Sequence, residues 1–335
     1  MGGTALNVTT TRLSREEYLR VQDEVVGILN SAGLSCRVTA IPAYNTKESF
    51  GDLDVLTSDK VSIEDITKVF NPTEIVVNGP CTSFDFQGFQ VDLIYTPLEH
   101  FDFSLAYYSW NDLGNLVGRI FKKLGFKYGH KGLYYLLRVG KDHRVFREIL
   151  VSRDLEKVLT FADLDYNKFQ EGFNTLEDMF KWVSASKFFH KDIYLLHNRN
   201  HTSRARYTKR KTGSDFLEWC RTTENLNEYS WPSYKETDEL VYVSTKSVFL
   251  EGAFWAFTGF PEEYLKAEFE YQSIEAAKQV LNGRVVSKLT GLKVKELGVF
   301  MRRLGNKYPA GEVRHWTTTK VEQVVLEEME GIHAT

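Results

Sequence analysis

The stretch Glu48-Ser49-Phe50-Gly51-Asp52-Leu53-Asp54-Val55-Leu56, with Gln90-Val91-Asp92-Leu93-Ile94-Tyr95 downstream, governs the reading of this chain. Both read as strands, and in a strand residues i and i+2 share a face. Asp52 and Asp54 therefore point one way while Leu53 and Val55 point the other. If Asp92 lies on a neighbouring strand, three carboxylates converge. Such groups repel one another unless cations lie between them. Two Mg²⁺ ions, with Mn²⁺ as a substitute, would meet that need; they would also activate a hydroxyl and hold a triphosphate. An acidic pair on a solvated strand face is the plain alternative, and the surrounding sequence has to separate the two.

Working outward, Ser14-Arg15-Glu16-Glu17 is a capping box, and Tyr18, Val21, Val25, Ile28 and Leu29 form the apolar stripe of the helix it opens. A strand at 36–41 and a loop at 42–48 lead into the Asp52/Asp54 strand. A short helix is expected at 62–70, strands at 74–78 and 84–95, a helix at 106–124 ended by Gly125, and an apolar strand at 148–151. Beyond Tyr166 the pattern turns helical, at 175–188, 214–220, 274–281 and 321–329. The expectation is an α+β chain. Residues 1–170 would form a catalytic domain with a mixed sheet and flanking helices, and 171–335 a mostly α-helical, nucleic-acid-binding domain.

Composition sets the bounds. With 335 residues the chain is long enough for two or three domains. Its net charge of −3 gives no global basic signal, so any surface for nucleic acid must be local. Cys36, Cys81 and Cys220 are widely spaced and odd in number, which suits reduced thiols in an intracellular, cytoplasmic setting rather than a disulfide framework. A nuclear or viral setting stays open. The first twelve residues carry no apolar signal-peptide core, and no run is long enough to span a membrane.

The segment 46–166 resembles the palm and fingers of family X DNA polymerases, within the polymerase-beta nucleotidyltransferase superfamily. Lys47-Glu48-Ser49-Phe50-Gly51-Asp52-Leu53-Asp54 looks like the first metal motif, and Val91-Asp92-Leu93-Ile94-Tyr95 like the third-aspartate strand. Tyr107 and Tyr108, then Asp112, Asn115 and Arg119, follow at the family's spacing. The resemblance implies that Asp52, Asp54 and Asp92 are catalytic and metal-binding. It implies that Lys47, Ser49, Gly51, Tyr107, Tyr108, Asp112, Asn115 and Arg119 bind the nucleotide, with the aromatic pair on the sugar, Asp112 and Asn115 beside the base and Arg119 towards a template. Independently, Asp112, Asn115 and Arg119 lie at i, i+3 and i+7 on one helical face; from those residues alone a solvated helix face with an Asp cap is the favoured reading, and the carboxylate motif placed before it at the family's spacing is what turns it to a nucleotide pocket.

The sequence departs from the family at Ile41-Pro42-Ala43-Tyr44, where the family carries Gly-Ser and backbone amides that cradle the triphosphate; Pro42 has no amide to offer. The family's phosphate-binding Arg has Asn45 or Thr46 as counterpart, with Lys47 as a possible substitute. About 40 residues before the motif are too few for the family's lyase and DNA-binding domains, so gap-filling repair with lyase activity is not expected. Downstream, 282–301 faintly resembles a tail segment of bacterial CCA-adding enzymes and loosely a helix-hairpin-helix clamp, without the full glycine pattern of either. A plain helix-turn-helix packing unit fits it as well.

A basic tract contains Arg199, Arg204, Arg206, Lys209, Arg210 and Lys211 around Tyr207, with no acidic residue between Asp192 and Asp215. It could hold a phosphate backbone and stack a base, or be a solvated charge run.

The implied reaction is transfer of a nucleoside monophosphate from a (d)NTP to the 3′-hydroxyl of DNA or RNA. Two further readings remain: a template-independent RNA terminal nucleotidyltransferase such as a tRNA CCA-adding enzyme, and a non-polymerising nucleotide-binding module of the same fold. Nothing in the sequence points to a protein partner.

Overall fold

The computed structural model describes residues 3–33, 36–198, 204, 211–231 and 249–333. A short strand β1 (Leu13–Ser14) leads into helix α1 (Arg15–Ser31), whose capping box is formed by Ser14 and Glu17. Strands β2 (Val38–Ala40), β3 (Ser49–Phe50) and β4 (Asp52–Thr57) follow, then helix α2 (Ile63–Phe70). Strands β5 (Ile75–Asn78), β6 (Cys81–Phe86) and β7 (Phe89–Tyr95) complete a five-stranded sheet of order β2-β4-β7-β6-β5. The sheet is mixed: β4 and β7 run parallel and the other pairs antiparallel. The chain is α+β.

The alternation seen in the sequence sorts the two faces. Leu53 and Val55 of β4, Val91 and Leu93 of β7, and Phe84 of β6 are buried with Tyr18, Val21, Val25 and Leu29 of α1 and Ile66 and Phe70 of α2. Each such side chain contributes roughly 1.5–3 kcal/mol of burial, so the two helices fix which face of the sheet is core. The opposite face carries Asp52, Asp54, Gln90 and Asp92.

Two expected elements are each split. The strand expected at 84–95 is the β6–β7 hairpin, turned by Gln87 and Gly88 with φ of 52° and 76°; paired left-handed residues give the turn that matches strand twist. The helix expected at 106–124 is two helices, α3 (Phe101–Tyr108) and α4 (Leu113–Leu124). Between them Trp110 and Asn111 hold φ of 61° and 57°, and the Trp110 amide donates to the Pro42 carbonyl at 2.8 Å. Tertiary contact overrides a helical composition there. Strands β8 (Phe126–Gly129), β9 (Gly132–Val139) and β10 (Arg144–Ser152) form a second sheet in the order β10-β9-β8.

By internal contacts the chain divides into two units, 1–135 with 150–258, and 136–149 with 259–335. The boundary expected near residue 170 falls inside the first. Backbone bonds explain this: the amides of Asn45 and Thr46 donate to the carbonyls of Phe173 and Asn174 at 3.0 and 2.8 Å, and the Tyr194 hydroxyl donates to Leu116 at 3.1 Å. In the second unit, helices Phe260–Val280, Gly283–Thr290, Val294–Lys307 and Thr318–His333 enclose Val286, Phe300, Leu304, Val321 and Val325. The hairpin of that unit meets its first helix through Arg147–Glu270 at 2.8 Å and Phe146–Tyr271.

Candidate metal centre

Parallel pairing of β4 with β7 sets Asp54 directly opposite Asp92 and Asp52 opposite Gln90. One carboxylate oxygen from each of Asp52, Asp54 and Asp92 lies within 4.8 Å of the others, and all three residues are half-buried. The electrostatics follow from this crowding. Burial first, then the charges of Asp52 and Asp92, push the Asp54 carboxyl up to about 7. Burial also raises Asp92, opposed by hydrogen bonds from Ser83 and Gln90. A hard-oxygen donor set at this spacing can hold a divalent cation, which would relieve the repulsion.

The Gln90 carboxamide is a site residue that sequence reading missed. It is buried, donates to both Asp92 oxygens at 3.0 and 3.1 Å, and accepts from the Ala5 amide at 2.9 Å. The available signal was its position two residues before Asp92, on the same strand face. The Gly3 amide also reaches the cluster, donating to Asp52 at 3.1 Å. Gly3 has φ of 82°, and a Cβ there would meet the Gly51 carbonyl oxygen at 2.2 Å, so only glycine brings the chain this close.

Lys47 is brought to the aspartates. Its ammonium lies 4.5 Å from the Phe50 ring centroid, and burial lowers its pKa while Asp52, Asp54 and Asp112 oppose that change. Gly51 is buried beside Asp52. Ser49 is exposed and accepts a hydrogen bond from Arg12 at 2.9 Å. Tyr107 and Tyr108 are half-buried and meet edge to face at 5.3 Å. Tyr108 stacks on His130, and burial raises its hydroxyl to about 12, with a lesser contribution from the Asp54 charge. Asp112 accepts from Asn115 at 3.0 Å, and Asn115 is exposed.

Arg119 is placed differently from its expected role. It is buried, and its guanidinium donates twice to the Ile193 carbonyl, at 2.8 and 2.5 Å. That commitment fastens α4 to the segment around Ile193 instead of presenting a charge to a template. Of the basic tract, Arg204 is exposed and Lys211 is exposed at the start of helix Lys211–Thr222. Arg199, Arg206, Tyr207, Lys209 and Arg210 lie outside the described residues. No helix of the described residues is long and apolar enough to cross a membrane.

No protein-family model matches this chain, and no curated protein is significantly similar to it.

Proposed function

We propose that this protein is a divalent-cation-dependent nucleotidyltransferase with a polymerase-beta-like catalytic fold, adding a nucleoside monophosphate from a triphosphate to a nucleic-acid 3′-hydroxyl. The observation that carries this reading is the convergence of Asp52, Asp54 and Asp92 from two adjacent parallel strands. Their oxygen donors and mutual repulsion fit Mg²⁺ or Mn²⁺, held by all three or by Asp52 and Asp54. When bound, such a cation lowers the pKa of a hydroxyl and neutralises phosphate charge.

The protein's own groups supply the rest. Asp92, steadied by Gln90 and Ser83, orients the acceptor hydroxyl and accepts its proton. Lys47 places a positive charge beside the aspartates, where a triphosphate's charge concentrates. Tyr107 and Tyr108 offer an aromatic wall to the sugar. In the transfer a bond forms from the 3′-oxygen to the α-phosphorus, and the bond to pyrophosphate breaks.

The internal use of Arg119 favours the template-independent form of this reaction, because the side chain expected to meet a template is occupied. Labelled DNA and RNA primers, with and without template, incubated with all dNTPs and NTPs and Mg²⁺ or Mn²⁺, test both points. Extension is expected, with Asp92→Asn reducing it at least ~100-fold. Extension by Asp92→Asn at the wild-type rate, or none by the wild type on any primer, would overturn the proposal.

A further inference from the structure

Residues 283–307 carry seven basic residues against a single acidic one, Glu296, in a chain whose net charge is −3. They form two helices, Gly283–Thr290 and Val294–Lys307, joined by a tight turn at Gly291 with φ of 74°. Arg303 and Lys307 are engaged by the buried Glu328, which anchors the second helix from inside. The other five are arranged differently. Arg284, Lys288, Lys293, Lys295 and Arg302 are all exposed, and none forms an ion pair among the described residues.

Their placement follows helix geometry. In Val294–Lys307, Leu297, Phe300, Met301 and Leu304 face the core. Residues 295, 299, 302 and 306 fall on the opposite face. That face holds two cations, Lys295 and Arg302, beside the exposed Val299 and Asn306, with Gly298 at its edge, where an added Cβ would meet nothing within 4 Å. Arg284 and Lys288, at i and i+4, share one face of the shorter helix while Val286 is buried. Lys293 and Lys295 flank Val294 at the turn. Val294 is 90% exposed and holds φ of 34°, a conformation that disfavours a β-branched residue. A surface with five exposed cations against one exposed carboxylate, Glu296, and an apolar apex held out between two lysines is costly for a lone chain and suited to a long polyanion.

We propose that this surface of the second unit docks the phosphate backbone of a nucleic acid, with Arg284, Lys288, Lys293, Lys295 and Arg302 as the contacting cations. The choice of nucleic acid over other polyanions rests on the nucleotidyltransferase reading; the surface itself does not. Charge contacts of this kind position a strand without reading its bases.

The test uses the full chain and fluorescence anisotropy with labelled 20-residue DNA and RNA, single-stranded and duplex, across a salt series without divalent ions. Lys288→Gln/Lys293→Gln/Lys295→Gln is compared with Lys157→Gln/Lys168→Gln/Lys181→Gln, an equal change of charge at exposed, ion-paired lysines of the other unit. The first variant is expected to flatten the slope of log affinity against log salt by roughly 2–2.7, at about 0.7–0.9 per lost contact. The second should leave it unchanged. Arg284→Gln/Arg302→Gln reads the same surface from the flanking helices, and thermal melting establishes that each variant is folded. A parallel series in Asp54→Asn protein separates the two proposals: retained, lysine-dependent binding there supports this surface whether or not the aspartates catalyse. Equal slopes in the wild type and the first variant, or equal losses in both lysine variants, would overturn the inference. So would lysine-dependent binding of phosphatidylserine vesicles or polyglutamate as tight as that of nucleic acid.

Discussion

Replacing Asp54 with Asn makes the strongest test of the carboxylate cluster, because it should stabilise the metal-free protein while abolishing its response to metal. Asp54 has an ordinary value of 3.8 and is pushed up to about 7 by burial and by its two neighbours. The folded chain therefore binds a proton more tightly than the unfolded chain. Between about pH 4 and 7 this group's contribution to stability is lost as pH rises, and above 7 the penalty is complete. A tenfold change in proton affinity is about 1.4 kcal/mol, which sets a ceiling of ~4 kcal/mol. The carboxylates are only half-buried, and solvent screening leaves roughly 2 kcal/mol. For a unit of this size that is a shift in melting temperature of about 4–8 °C. In EDTA at pH 8, Asp54→Asn should melt that much higher than the wild type, and the difference should vanish near pH 4. With 10 mM Mg²⁺ the wild type should recover, gaining about 1.4 kcal/mol if its dissociation constant is about 1 mM. Differential scanning calorimetry reads all of this. A variant that melts below the wild type in EDTA at pH 8, or that gains as much from Mg²⁺, would refute the reasoning.

Three other substitutions probe what surrounds the cluster. Arg119→Leu leaves the buried Ile193 carbonyl without its donor, so a loss of about 1–3 kcal/mol in denaturant stability is expected; triphosphate affinity by calorimetry should be unchanged, and a selective loss of nucleotide binding would return Arg119 to the pocket. Gln90→Leu removes the amide nitrogen that bonds both Asp92 oxygens and the acceptor for Ala5, leaving Ser83 as donor to Asp92; this should cost about 1.5–3 kcal/mol since one partner is charged, and unaltered urea unfolding would show that these bonds contribute little. Gly3→Ala places a methyl group against the Gly51 carbonyl at a φ that disfavours it, so amide hydrogen exchange at residues 3–5 should quicken, and unchanged protection would mean the N-terminal segment is not held at Asp52.

The alternation of Asp52, Leu53, Asp54 and Val55 was legible because a strand's period of two is a local property, and the core on the other face follows it. The parallel register that sets Asp54 opposite Asp92 was not, since strand order depends on pairings far apart in sequence. Arg119 shows the same limit: its i+7 spacing from Asp112 is a local property, but its partner, Ile193, lies 74 residues away. The break at Trp110–Asn111 was hidden because residues 106–124 are helical in composition, and only contacts such as Trp110 to Pro42 impose left-handed backbone there. At 283–307 only a faint resemblance and a helix-turn-helix unit were legible; what the fold adds is the sorting of Lys295 and Arg302 away from Phe300 and Leu304.

The loop 41–47 shows where fold and site compete for the same donors. The amides of Asn45 and Thr46 are spent on the Phe173 and Asn174 carbonyls, the Lys47 amide bonds the Tyr44 carbonyl, and Pro42 has no amide. A backbone cradle for phosphate, as the family resemblance would have it, is therefore largely used up in joining this loop to the helices beyond it. Positive charge must come instead from side chains, and Lys47 is held near Asp52, Asp54 and Asp112. Once ionised, the three aspartates and Lys47 together leave two negative charges, which one divalent cation balances. On the proposed function, holding a second would then depend on negative charge arriving with a triphosphate, which would tie complete occupation of the cluster to that ligand.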